Sequence, residues 1–80
     1  MFNLRLFELI EPLEAGRSAK ARLLKWDGTR YAPTGEELTV HDFAGSHGTA
    51  HDRGYAFQSD QSKRWEVLAG LFTQEYESIL

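Results

Sequence analysis

The chain has 80 residues, 41% hydrophobic and 26% charged, and its 9 Lys+Arg against 12 Asp+Glu leave a formal charge of −3. That is one small domain, too short for a two-domain enzyme, a doubly wound nucleotide-binding sheet or a barrel of eight strand-helix units. It holds no cysteine, which excludes disulfide staples, thiolate zinc sites and thiol catalysis.

A single core of this size contributes only roughly 3–5 kcal/mol of net stability. The aromatic content, 12%, therefore predicts either a core that leans on aromatic rings or an oligomer that shares one. The longest apolar runs, such as Val67-Leu68-Ala69, fall far short of the roughly 18 residues that span a bilayer. No membrane contact is expected. Arg5 and Glu8 interrupt the first apolar stretch, so no secretory leader is expected and the chain should stay in the compartment where it is made.

Turn residues break the chain every 8–12 positions or so, the spacing of an all-β sandwich or barrel. In residues 2–11 two period-2 runs, Phe2-Leu4-Leu6 and Phe7-Leu9, are offset by one residue, which predicts a long, bulged strand. After the turn at Ala15-Gly16-Arg17-Ser18, Ala19, Ala21 and Leu23 alternate with Lys20 and Arg22 as in a half-buried strand. The alternation then slips at Leu24 and Trp26, pointing to a bulge or to burial on both faces near a rim. Asp27-Gly28 is a type I′ hairpin signal. The return strand starts at Arg30-Tyr31-Ala32 and is expected to end at Pro33.

Further strands are predicted over residues 38–43, 55–57 and 65–67, with Trp65 in the core. Asp52-Arg53-Gly54 reads as a fold-fixing corner: Gly54 at positive φ, Asp52 bonding backbone N–H groups, Arg53 reaching a carboxylate such as Asp42. Phe72, Tyr76, Ile79 and Leu80 fit one helical face, so residues 73–80 read as a short helix or a docked tail beyond a single domain at 1–72. The expected fold is all-β, five or six mostly antiparallel strands in a small barrel or compact sandwich.

Three features invite a chemical reading. His41, Asp42, His47, His51 and Asp52 are ligand-type residues in a short span, but their spacing matches no established metal motif, and a polar surface loop is the favoured reading. Ser46, His47 and Asp42 lack the rigid presentation and oxyanion donors of a nucleophilic triad. No cofactor, metal or catalytic residue is assigned. The third feature is the basic hairpin: Lys20, Arg22, Lys25 and Arg30 with Trp26 and Tyr31 interleaved. It reads first as a solvated strand face, second as a subunit contact and third as a groove for single-stranded nucleic acid or oligosaccharide, since the chain is acidic overall.

The charge is also uneven. Residues 1–30 carry six positive and four negative groups, and residues 31–80 three positive and eight negative. That polarity suits copies of the chain meeting one another.

The order Trp26-Asp27-Gly28-Thr29-x-Tyr31, Thr34-Gly35-Glu36-x-x-Thr39-Val40-x-Asp42, Asp52-Arg53-Gly54-Tyr55-Ala56 and Arg64-Trp65-Glu66-Val67 resembles small β-domains in structural proteins of tailed bacteriophages and prophages. The resemblance covers most of residues 7–68. It implies a non-enzymatic module of the virion, in a tail, neck, fibre or capsid surface, that packs against copies of itself or larger subunits. His41, His47 and His51 depart from that pattern, as does the extension at 73–80, which would add a partner contact through Tyr76, Ile79 and Leu80.

Overall fold

The computed structural model describes residues 4–42, 45, 47–58, 63–68 and 71. Five strands form one sheet: β1 (Leu4–Leu9), β2 (Ser18–Trp26), β3 (Tyr31–His41), β4 (Arg53–Gln58) and β5 (Trp65–Val67). They pair in the order β1-β2-β3-β5-β4, and β4 pairs back onto β1, so the sheet closes into a barrel. All neighbours are antiparallel except β3 and β5. The arrangement β4-β1-β2-β3 is a Greek key. Closure runs through short pairings: β3 meets β5 only at Val40 and His41, and along the rest of its length it pairs on the β2 side alone among the described residues.

Small and large side chains alternate inside. Phe7, Leu9, Leu13 and Val40 fill the barrel against Ala19, Ala21, Ala56 and Val67, all at most 2% exposed. Half-buried Leu38, Trp65 and Leu71 pack against this centre. Phe7 is the one aromatic residue among the fully closed-off side chains described. Among the described residues the core is thus mainly aliphatic and alanine-rich. Trp26 and Tyr55 lie exposed instead.

Strand β1 carries no bulge. Leu6, Phe7, Glu8 and Leu9 pair in unbroken register with Leu24, Leu23, Arg22 and Ala21, and Leu4 to Glu8 pair likewise with β4. The one-residue offset of its apolar pattern has another cause: this strand has neighbours on both sides and is closed off on both faces. Phe7 and Leu9 point into the barrel, while Leu6 sits on the outer face opposite Leu24, the two only 5% and 4% exposed. At Leu24 in β2 both expected causes coincide: the residue is 4% exposed and the β2–β3 register shifts between Arg22 and Leu24.

The irregularity of this hairpin lies in β3. Between Arg22↔Glu37 and Leu24↔Pro33, β3 spends two more residues than β2, with Gly35 at φ 91° and the Glu36 N–H donating to Thr34 Oγ1 at 3.2 Å. Pro33 therefore does not end the return strand. Its missing N–H falls at the register shift, and the chain continues to His41, merging two predicted strands into one.

Two turn assignments also change. In the β2–β3 connection only Gly28, at φ 107°, has positive φ, which excludes the I′ form. Asp27 supplies the reason: its Oδ1 accepts the N–H groups of Thr29 and Arg30 at 2.8 and 2.9 Å, while its own N–H donates to the Arg30 carbonyl. Gly54 is a strand residue rather than a corner, and Arg53 opens the same strand. A β-carbon on Gly54 would run into Leu71 and crowd Phe7, so glycine serves there for space. The helix or tail at 73–80, and with it Tyr76, Ile79 and Leu80, lies outside the described residues, as do Phe2, Phe43, Ser46 and Phe72.

Candidate interaction surface

The register sorts the outward side chains of β2, β1 and β4 into rows. Arg22, Glu8 and Arg53 form one row; Leu24, Leu6 and Tyr55 form the next; Leu4 and Phe57 follow, with Trp26 two residues beyond Leu24 on β2. Directly opposed residues share a face, so these rows are real neighbours.

The charged row is a closed ion-pair ladder. Glu8 Oε2 lies 3.5 Å from Arg53 Nε and Glu8 Oε1 lies 3.6 Å from Arg22 Nε. The Glu8 and Arg53 side chains are 8% and 11% exposed, that of Arg22 37%. Arg53 thus reaches a carboxylate, that of Glu8. The sequence pattern concealed this contact because Glu8 sits inside an apolar run and its partners are 14 and 45 positions away.

The basic hairpin is divided by the fold. Arg22 is committed to Glu8 and lies opposite Glu37, and Lys20 lies opposite Thr39 beside Glu11, whose Oε1 accepts the Lys20 N–H at 3.0 Å. Lys25, Trp26, Arg30 and Tyr31 stay together at the hairpin tip. There Trp26 and Tyr31 pair across the strands with ring centroids 5.2 Å apart and planes at 68°, an edge-to-face contact. Trp26 remains 55% exposed. Leu4, Tyr55 and Leu68, each 41–43% exposed, accompany it on the outside of the barrel, and the Leu68 N–H donates to the Tyr55 carbonyl at 2.9 Å.

The opposite end of the barrel is an ordered polar corner. Leu13 and Gly48 exchange backbone hydrogen bonds, Leu9 donates to the Asp52 carbonyl and His51 to the Leu9 carbonyl. Asp42 Oδ2 accepts the Gly16 N–H and Asp52 Oδ2 the Thr49 N–H, so Asp52 caps backbone donors as its residue type suggests. His51 turns the chain at φ 76°. Among the described residues no three metal-ligand side chains converge, and His41, Asp42, His47, His51 and Asp52 are distributed around this corner.

A shallow groove of about 230 Å³ runs beside the irregular part of β3, lined by Ile10, Arg22, Pro33, Gly35, Glu36 and Glu37. No long apolar helix of the membrane-crossing kind occurs among the described residues. No family model, curated protein or solved structure matches the chain.

Proposed function

We propose that this chain is a non-enzymatic structural or assembly module of a phage particle, working in a tail, neck, fibre or capsid surface by self-association or by docking on larger subunits. One observation carries the reading: Leu4, Trp26, Tyr55 and Leu68, large apolar residues at 41–55% exposure, lie outside a barrel whose interior is already filled by Phe7 and aliphatic residues. A single exposed apolar residue is ordinary, but several gathered near Leu6 and Leu24 favour a contact surface. The motif resemblance supplies the virion setting. Sedimentation of the whole chain over a concentration series tests association, and the neighbouring open reading frames test the setting. A mass that grows with concentration and a portal, terminase or tail gene alongside are the expected results. A monomer that no particle subunit retains overturns the proposal.

The Trp26–Tyr31 pair favours a second reading. Five-stranded Greek-key barrels bind oligonucleotides or oligosaccharides on the face of their second and third strands, and an exposed aromatic pair flanked by Lys25 and Arg30 offers a stacking platform. Its weakness is electrostatic, because Glu8 and Glu37 offset Arg22 on that face. A mobility shift with single-stranded DNA at low salt, lost in Lys25→Ala/Arg30→Ala, would establish it.

A further inference from the structure

The hairpin tip and the groove beside β3 have complementary chemistry. The tip carries two cations against the one carboxylate of Asp27, with Lys25 preceding exposed Trp26 on β2 and Arg30 preceding half-buried Tyr31 on β3. The groove is concave. Ile10 and Pro33 supply an apolar lining, and Glu36 and Glu37, both exposed, supply negative charge. The one cation among its lining residues, Arg22, already pairs with Glu8, so the net field at the groove is that of the two carboxylates. At about 230 Å³ it admits a single large side chain rather than an extended ligand.

We infer that the groove of one copy receives the Trp26 hairpin tip of a second copy, Lys25 and Arg30 meeting Glu36 and Glu37 while the indole covers Ile10 and Pro33. This rests on the assembly reading above and names its contact. The tip lies at one end of the barrel and the groove on its side, beside the register shift of β3, so each copy carries both halves of the contact. Two copies that exchange tips make a closed pair, whereas copies that give the tip to one neighbour and the groove to another build rings when the rotation closes and filaments when it does not. Charge at both rims makes the association salt-sensitive, whereas the buried indole supplies most of its strength.

The experiment is sedimentation velocity on the whole chain with two reversed-charge variants, Lys25→Glu/Arg30→Glu and Glu36→Lys/Glu37→Lys, singly and mixed. Circular dichroism verifies that each retains the β-fold. All four sites are exposed, so folding should survive. The expected result is association of the native chain, loss in each variant alone and recovery on mixing, because each variant then meets its electrostatic complement. Trp26→Ala should abolish association in every combination. Association that persists in both variants but is lost in Leu4→Ser/Tyr55→Ser overturns this contact and leaves the assembly reading standing on the outer apolar face. A native chain that is monomeric throughout overturns this inference, and retention by a larger particle subunit then decides the assembly reading separately. Recovery that fails on mixing also overturns it.

Discussion

Glu8 and Arg53 face each other across β1 and β4 with Oε2 and Nε 3.5 Å apart, both nearly closed off from solvent, 45 positions apart in the chain. Such a pair adds little over an apolar pair of the same shape, yet removing Glu8 takes its carboxylate from both Arg53 and Arg22 at a place where little water can replace it. Glu8→Ala should therefore destabilise the fold by about 3–5 kcal/mol. The double variant Glu8→Met/Arg53→Met should recover most of that loss, as read by urea denaturation. Equal loss in the single and double variants would show that the pair stabilises the barrel in its own right.

Gly54 is a packing glycine. Leu71 and Phe7 occupy the space a β-carbon would take, so Gly54→Ala should cost about 1–3 kcal/mol through overpacking. A domain of this length loses ~4–8 °C in Tm per kcal/mol, making the effect plain in a thermal melt. Pairing the change with Leu71→Ala should restore part of the stability, since the smaller side chain gives up the contested volume.

Asp27 organises the hairpin tip through charge. The N–H of Arg30 first, and that of Thr29 second, hold its carboxyl below the ordinary value of 3.8. A folded-state value lower than the unfolded one means that the turn's contribution is complete above the unfolded value and disappears as pH falls through the folded one. An NMR titration of the Asp27 carboxyl carbon should give a midpoint below 3.8. In Asp27→Ala the Thr29 and Arg30 amides should exchange faster with solvent, and a midpoint at or above the ordinary value would contradict the bonding described.

Backbone conformation offers a fourth check. His51 holds φ 76°, a region that non-glycine residues occupy at a cost of order 1 kcal/mol. His51→Gly should leave stability unchanged or raise it by a few tenths of a kcal/mol, relief of strain being partly offset by the freer unfolded chain. Gly35→Ala, at φ 91° in the irregular part of β3, should lower stability by about 1 kcal/mol. Chemical denaturation reads both, and no loss at His51 beside a clear loss at Gly35 is the expected pattern.

Much of the architecture was legible in the chain because its signals are local. Alternation at Ala19, Ala21 and Leu23 marks β2, the Asp27-Gly28 pair marks its turn, and β-rich runs mark the later strands. What misled was also local. The doubled apolar pattern of Leu6-Phe7 reads as a bulge in an isolated strand, but burial on both faces produces the same pattern. Pro33 reads as a terminator until the register shift in β3 accommodates it. Gly54 reads as a turn until Leu71 is seen above it.

The interaction surface was the less legible part. Sequence proximity made one strip of Lys20, Arg22, Lys25 and Arg30, whereas closure of the barrel gives Arg22 to Glu8 and keeps only Lys25 and Arg30 beside the aromatic pair. The apolar row at Tyr55 joins residues from three strands, and the groove at Glu36 and Glu37 joins β2, β3 and Ile10. No spacing rule within one strand reveals them.

The sequence by itself determined a small, cysteine-free, all-β domain, its turn positions and the overall imbalance of charge, because composition, period-2 alternation and turn chemistry act over a few residues. Only the tertiary structure decided which charges neutralise each other, which face of β1 is covered and which aromatics are left outside. Those outcomes depend on inter-strand register, a long-range property that a closed barrel imposes on all five strands together.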